Sequence, residues 1–512
     1  MRMSQWLPGV VLGACVTGCA VGPNYHAPQM KVPDRFIAGS AAGAQNATGL
    51  SNQAADVATW WYTLNDSELN SLIDRAIQAN PSIEIALTRL QEARTFEVAI
   101  TGLALPELEA SAGAARGTGS NLARGRASPP LVSASNTAGL TQITGIAGFD
   151  AVWELDLFGK YRREIEAARY DTQAAAAARN AVLITVVADV ARAYVDMRGL
   201  QMQLAVLRQN IRTAQTSLDL VQARFDRGII NELDVTLARR QLATLRAQLA
   251  PLAAQISAAQ YAIAVLIGQF PEDLAKELEK PGLIPQVPEK IEAGVPLDLI
   301  RRRPDISEAE WQLAGATARI GVATANLFPQ VAITAGVGGQ TQGLGVTPVV
   351  SQSIWSAGVL AIWPLLDFGT LDALVDVADL RTRELLVNYK RTVLNAVQEV
   401  DTAVASYAAQ QDRLRNLDDA VAASERAVSL ASQRYDRGLT DYLNVVDAQR
   451  QEYDLAAQYA SAQMAAAEQL VALYKGLGGG WERYQSIPPI RKPQPAVVAA
   501  FRRVLAPEDP QK

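Results

Sequence analysis

Histidine is almost missing from this chain. Its 512 residues contain one, His26, near the N-terminus. A catalytic or metal site built on imidazole therefore has almost nothing to draw on. Cysteine is nearly as scarce, with only Cys15 and Cys19, too few for a disulfide framework. Aromatic residues make up 6% and charged residues 19%. With so much alanine, that balance suits long helices better than a sandwich of short strands. The net charge of −5 provides no electrostatic footprint for a nucleic-acid partner. Nothing in the composition calls for a cofactor.

A long apolar run is also lacking at the N-terminus. Met1-Arg2 gives a positive start, and Trp6 to Val16 is apolar but too short to span a bilayer, which takes about 20 residues. Residues 1–18 read as a signal peptide. Val16-Thr17-Gly18-Cys19 fits a lipobox, so cleavage before Cys19 leaves its sulfur to carry lipid. The plainer explanation is a disulfide pair or two incidental thiols, but Cys15 departs with the signal. One lipid chain binds a membrane only marginally and needs help from the rest of the protein. Ala20 follows where an aspartate is absent. By resemblance to lipoprotein sorting rules this indicates the outer membrane. Residues 19–58 then form a lipidated segment and linker, extended at Pro23 and Pro28 and rich in Ala, Gly, Ser and Asn over 37–58. His26 within it reads as an ordinary loop side chain.

What the chain has in abundance is itself. Arg224-Phe225-Asp226-Arg227-Gly228 returns as Arg434-Tyr435-Asp436-Arg437-Gly438, an offset of 210 residues. The same offset places Trp153 on Trp363 and Phe158-Gly159 on Phe368-Gly369. Such self-similarity marks a fold of two equivalent halves, here 59–280 and 281–485. It also favours geometry over chemistry, since an active site rarely needs two copies.

Each half follows one plan. A helix, 67–103 or 306–326, ends near Pro106 or Pro329, and these prolines align at 223 rather than 210. The 13-residue difference must be absorbed before Trp153 and Trp363, as an exposed loop allows. The intervening segments have a period of two. Leu108, Ala110, Ala112 and Ala114 alternate with Glu107, Glu109, Ser111 and Gly113. Phe149, Ala151, Trp153 and Leu155 alternate with Asp150, Val152, Glu154 and Asp156. Val331, Ile333, Ala335 and Val337 do the same, and Val359, Ala361, Trp363 and Leu365 return. Two β-hairpins result, over 107–157 and 330–366, with tips at about 117–140 and 339–353. They are either water-exposed hairpins on a soluble core or membrane strands, apolar side to lipid and polar side to a lumen. In the second case Trp153 and Trp363 form an interfacial girdle.

Helical pattern then runs from Gly159 to Gly228, about 100 Å if unbroken. Leu183, Val187, Val190, Tyr194, Met197, Leu204 and Ile211 take coiled-coil spacing, with Gln201 and Arg208 filling the seam. Asp189, Arg192, Asp196 and Arg198 exclude a bilayer span there. Gly199 is a candidate bend. A second helix follows to about Leu266, and the other half repeats the pair from Gly369 through Gly438 to Tyr474. Gly228 and Gly438 sit at helix turns, where glycine takes the left-handed conformation. Asn231 and Asp441 can cap the next helices. A turn alone does not explain why Arg224, Asp226 and Arg227 recur as Arg434, Asp436 and Arg437 on exposed tips. That matched pattern reads as a surface that meets a partner.

Four strands cannot close a barrel, and open edges are not tolerated in lipid. If the hairpins span a membrane, several copies supply the rest. Eight strands fill their own interior, so a conducting barrel needs more, and counting allows three or four copies.

The chain resembles the TolC-like family of outer-membrane efflux ducts, in its NodT-type lipoprotein branch. The resemblance is carried by Cys19 to Tyr25, Trp60-Trp61 with Asp66 and Leu69, Trp153 to Gly159, Arg301 to Ile306, Ala318 to Ala323, Leu327-Phe328-Pro329 and Leu443 to Arg450. It implies a mixed α+β membrane protein, a homotrimer with a 12-stranded β-barrel continued by a periplasmic α-helical barrel. It implies two partners, a periplasmic adaptor (a membrane fusion protein) and an inner-membrane RND-type pump. The tips at 224–228 and 434–438 then become the adaptor-docking surface. The resemblance also implies a gate at Leu443 and Asp447, whose spacing of four puts both on one helix face. Three leucines can seal a tunnel, and three carboxylates repel, so such a ring could respond to pH or cations. The first-half equivalents, Leu233 and Leu237, lack the carboxylate. The proline-rich tail, 486–512, lies outside the pattern.

Two other classes compete. A hydrolase could use Glu154 and Asp156, but no nucleophile or histidine stands near them in sequence. A lipid-anchored coiled-coil scaffold would bridge envelope layers without conducting. Arg301-Arg302-Arg303-Pro304-Asp305 suggests a phosphate site. It is explained more simply by Pro304 opening a helix, Asp305 complementing its dipole and the arginines bracing the joint between halves. The sequence does not name the cargo.

Overall fold

The computed structural model describes residues 20–33, 57–118, 141–285, 302–344 and 350–484. The expected signal peptide, Cys19, most of the linker, the first hairpin tip and the proline-rich tail lie outside these residues.

A short 3-10 turn, Trp60–Leu64, leads into α1 (Ser67–Ala79) and α2 (Pro81–Leu103). The single helix expected over 67–103 is thus two. Pro81 cannot donate a backbone hydrogen bond, and the Asn80 side chain caps α2 by accepting from the Ser82 and Ile83 amides at 2.8 and 3.3 Å. Strands β1 (Glu107–Thr118) and β2 (Thr141–Leu155) follow, then α3 (Lys160–Asp226). The return helix is also divided, into α4 (Glu232–Ala247) and α5 (Leu249–Leu266), two residues ahead of Pro251. A short α6 (Pro271–Leu278), not anticipated from sequence, closes the first half. The second half runs α7 (Pro304–Ala325), β3 (Gln330–Leu344), β4 (Val350–Ile362), α8 (Thr370–Asp436) and α9 (Tyr442–Gly476).

The four strands form one antiparallel sheet in the order β1-β2-β3-β4. Its register preserves the repeat. Glu107 pairs with Val152 in the first hairpin and Gln330 with Ile362 in the second. Adding 223 to the first partner and 210 to the second converts one pair into the other. The 13-residue difference therefore lies in the connection between strands, as expected. The second hairpin is longer than its composition suggested. The Gly-, Ser- and Thr-rich stretch read as a tip continues the ladder, with Gln340 opposite Gln352 and Thr341 opposite Ser351.

Helices α2, α3, α7 and α8 lie side by side in the same order as the strands above them. The core sits at mid-height, where Trp60, Trp61, Tyr194, Ile263, Val400 and Leu470 are buried together. Trp60 stacks on Tyr474 at 5.0 Å. The α3 seam is buried as expected at Leu183, Val187, Val190, Tyr194 and Met197. Beyond Gln201 it moves to Leu207, Ala214 and Val221, leaving Leu204 and Ile211 half-buried and Arg208 exposed. Gln201 marks the shift, because its side chain turns to the Leu278 carbonyl and to Arg198. Gly199 does not break α3. A Cβ there would lie 2.5 Å from Met464 Sδ, so its role is to let α9 approach.

Buried Arg303 donates to Asp305, to Glu399 on α8 and to the Gly476 carbonyl at the end of α9. These contacts brace the second half internally, rather than the joint between halves expected for the basic run before Pro304. Arg198 does the same in the first half, reaching Glu68 and the Lys280 carbonyl and lying 4.8 Å from the Tyr194 ring.

Candidate functional site: exposed sheet, tips and groove

One face of the sheet is apolar and open. Leu108, Phe149, Trp153, Ile333, Val337, Trp355 and Val359 share it through the strand register and are exposed, Trp355 by 80% and Val359 by 73%. A patch of this extent needs a covering medium or partner. The opposite face carries Glu109, Ser111, Asp150, Thr334, Gln340 and Ser356, with Asp150 and Gln340 buried. The alternation is weakest on β4, where Ile354, Leu360 and Ile362 share the polar face.

Trp153 and Trp363 hold equivalent places. Trp153 Nε1 donates to the Ala104 carbonyl at 3.1 Å, and Trp363 Nε1 to the Leu327 carbonyl at 3.0 Å. Each acceptor stands two residues before the aligned proline. Both indoles thus lie at the helix–strand junction with a polar edge engaged, which suits an apolar–aqueous boundary.

The N-terminal segment meets the same junction. The Val21 amide donates to the Phe158 carbonyl at 3.1 Å, and Ala20 packs against Gly159. Arg163 holds the strap, donating to the Val21 and Gly22 carbonyls and to Asn24 Oδ1. Farther along, Met30 and Val32 pack on buried Ile306 and Tyr389.

The two carboxylates a hydrolase would need are already engaged. Glu154 accepts from Lys160 and from the Tyr161 hydroxyl at 2.9 Å. Asp156 accepts from the Tyr161 and Arg162 amides and from the Arg162 guanidinium. They fasten the start of α3 beneath β2.

At the far end the two tips adopt the same turn. Gly228 and Gly438 have φ of +74° and +69°. The Gly228 amide donates to the Phe225 carbonyl and Ile229 to Arg224; Gly438 donates to Tyr435 and Leu439 to Arg434. This is the Schellman arrangement, in which a left-handed glycine satisfies the last helical carbonyls. Asn231 caps α4 through the Asp234 amide, whereas Asp441 makes no side-chain cap on α9.

The structure brings some tip residues together and leaves others apart. Arg224 forms an ion pair with Asp436 at 2.7 Å and lies over the Tyr435 ring at 4.9 Å. Asp226 accepts from Gln222. Arg227, Arg434 and Arg437 make no ion pair among the described residues. Charge patterning does not draw attention to Ile229 and Leu439, which follow the glycines and are 65% and 63% exposed. The repeat offset finds them. Burial and the charge of Asp441 raise the pKa of Asp234 beside the tip.

Leu443 and Asp447 are exposed on one face of α9. With Arg240, Thr244, Arg450 and Asp454 they line a groove of about 870 Å3 between the two helical hairpins.

The sequence profile of the family described as outer membrane efflux protein matches residues 72–269 and 295–479, both halves of the fold just described. The chain belongs to that family. Nodulation protein T of Rhizobium leguminosarum bv. trifolii is 28% identical over 467 residues, 91% of this chain and 95% of that protein. The cation efflux system protein CusC of Escherichia coli O6:H1 is 28% identical over 482 residues, 93% of this chain and 100% of that protein. The solved structure of the outer-membrane channel OprN superposes with a TM-score of 0.80 at 31% identity, covering 91% of this chain and 100% of that one. The protein is thus an outer-membrane efflux channel, the exit duct of an efflux system, and its family is one of transporters rather than enzymes.

Proposed function

We propose that three copies of this chain close their sheets into one 12-stranded barrel across the outer membrane. Their helices continue the barrel as a tunnel through the periplasm, and cargo passes along it passively. The observation that carries this reading is the sheet itself, which has four strands, two unpaired edges and an apolar exposed face. Such a sheet cannot sit in lipid alone, because every backbone group must be paired there. More than eight strands are needed for an open lumen.

Cys19 is the lipid attachment site in this reading. It immediately precedes Ala20, which lies at the α3 junction on the level of Trp153. A lipid there enters the periplasmic leaflet beside the strand ends and adds the second signal that stable anchoring needs. Trp153 and Trp363 form the boundary girdle.

The tips, Arg224 to Gly228 and Arg434 to Gly438, dock a periplasmic adaptor that links the duct to an inner-membrane RND-type pump. Exposed Ile229 and Leu439 give that surface an apolar centre ringed by charge. Leu443 and Asp447 form constricting rings around the three-fold axis. Relatives of equal identity are named for nodulation and for cation efflux, so similarity at this level does not select the cargo; the pump does.

Single-channel recording in planar bilayers tests the duct and its gate together. The unaltered trimer conducts in unitary steps, and Leu443→Ala with Asp447→Ala raises the step severalfold. An unchanged step rejects the gate. Absence of conductance rejects the duct and leaves a lipid-anchored scaffold.

A further inference from the structure

Where the two halves differ, one of them does something alone. The joint between α3 and α7 carries the segment Ala20 to Tyr25, and the repeat does not copy the side chains that meet it. We propose that Arg163, Gly159, Gly321 and Glu310 form a peptide-binding seat for this segment, made once per chain, which holds the residues behind Cys19 and so positions the lipid at the level of Trp153. The seat is additional to the lipid reading of Cys19, on which its purpose rests.

The seat is cut to the thickness of a backbone. Gly22 has φ +87°, and a Cβ built on it would collide with Gly321 Cα. A Cβ on Gly321 would lie 2.8 Å from the Arg163 side chain. A Cβ on Gly159 would lie 2.6 Å from Ala20 Cα. Glycine at 22, 159 and 321 is what lets strap and helices approach this closely. Position 20 is therefore restricted by packing as well as by sorting.

Polar contacts close the seat. Arg163 is 4% exposed. Its guanidinium donates to the Val21 and Gly22 carbonyls at 3.1 and 3.2 Å, to Asn24 Oδ1 at 2.8 Å and to Glu166 at 2.8 Å. Three of these four acceptors belong to the strap. Without it, a buried cation would keep only Glu166. One residue on, the Tyr25 hydroxyl donates to Glu310 on α7 at 3.2 Å, and its ring meets Tyr170 on α3 edge-on at 6.1 Å.

The second half keeps the turn and lacks the seat. Gly369 has φ +80°, close to the +84° of Gly159, yet a Cβ on Gly369 meets nothing within 4 Å among the described residues. By the offset of 210, Arg163 becomes Ala373 and Tyr170 becomes Leu380. By the offset of 223, Gly321 corresponds to Val98 and Glu310 to Leu87. Each group that grips the strap is replaced by one that cannot. One seat per chain matches one strap per chain.

Pro23 is exposed and lies between two residues that Arg163 holds. A spin label on Pro23→Cys, in the full chain and in native membranes, reports whether the strap is seated. An immobilised spectrum is expected. Arg163→Ala is expected to raise the mobile fraction about tenfold, as a buried cation binding several acceptors implies. Gly22→Val is expected to do the same from the strap side, without touching the helices. Arg169→Ala, which removes an exposed ion pair with Glu97 on the same helix, is expected to leave the spectrum unchanged. Incorporation of labelled palmitate is measured for each protein. A mobile fraction unchanged by both Arg163→Ala and Gly22→Val, with palmitate present, overturns the seat and leaves the lipid reading standing. No palmitate on any of them overturns the lipid reading, and with it the placing of the lipid. In thermal melts, Gly159→Ala is expected to lower the melting temperature more than Gly369→Ala does, and that excess is expected to vanish when Arg163→Ala is also present. An excess that persists overturns the packing of Ala20 on Gly159.

Discussion

Helices α3 and α8 have the same length, 67 residues, begin after equivalent glycines and end in the same turn. Yet α3 buries twenty-three residues and α8 nine. Position explains the difference. The first-half helix lies between α2 and α7, while the second-half helix packs on α7 and α9 and meets no further helix among the described residues. The same contrast recurs above them, where β2 and β3 are paired on both edges and β1 and β4 on one. Two halves so alike and so unequally buried mark the side of α8 that a second copy would cover in the proposed trimer. In a chain without a repeat, exposed leucines on α8 would be ambiguous. Here Val387 and Leu394 have buried counterparts, Ala177 and Ile184, that say what should cover them.

The largest expected effect comes from attacking the shared wall. Val359→Arg places a guanidinium on the apolar face of β4, at a cost of about 2–4 kcal/mol per copy at mid-bilayer. Loss of heat-modifiable trimer in detergent is expected. Ser356→Arg, on the polar face of the same strand, is expected to assemble. If both variants assemble equally, the two faces of β4 are not in different media.

The tips give a smaller and more discriminating effect. A Cβ at Gly228 or Gly438 meets nothing within 4 Å. Gly228→Ala and Gly438→Ala therefore cost only the left-handed backbone penalty, about 1–2 kcal/mol. Chemical denaturation should show equal losses. A loss at one tip only would mean that the two turns are not equivalent in the assembled protein.

The smallest effect belongs to a feature that the second half has alone. Glu468 on α9 is pushed up to about 8 by burial and by the facing Asp196, opposed by Arg192. The carboxyl at position 468 keeps its proton in the folded protein at pH values where the unfolded chain, near 4.5, has lost it. Stability from this group is full below about pH 4.5 and is lost as pH rises through about 8. The first-half equivalent is Ala258, so the repeat does not supply a second such carboxyl. Glu468→Gln should flatten the fall of melting temperature between pH 6 and 9. An unchanged slope would remove Glu468 from the cause.

Much of this architecture is legible in the sequence. The offsets of 210 and 223, read from the tryptophans and prolines, placed the length difference between the strands, and the two hairpins' registers agree with that. Tip glycines and period-two segments have unmistakable local chemistry. Three things were hidden for physical reasons. The seam shift beyond Gln201 depends on a carbonyl at Leu278, distant in sequence. The longer second hairpin is built from residues that resemble a loop, yet its β3 part pairs with β2 on one side and with β4 on the other. The role of Gly199 lies in Met464, and no local reading separates a packing glycine from a bend. The break at Asn80 has a local signal, since Asn-Pro ahead of a helix marks a helix start.

Accessibility along β2 is the most direct test of a lipid-facing sheet. Single cysteines from Ala147 to Val152, labelled with a fluorophore in the assembled protein, are exposed in turn to a lipid-dissolved and a water-soluble quencher. The lipid quencher should act at 147, 149 and 151, and the aqueous one at 148, 150 and 152. Aqueous quenching at all six positions would place both faces of the strand in water and contradict a membrane barrel.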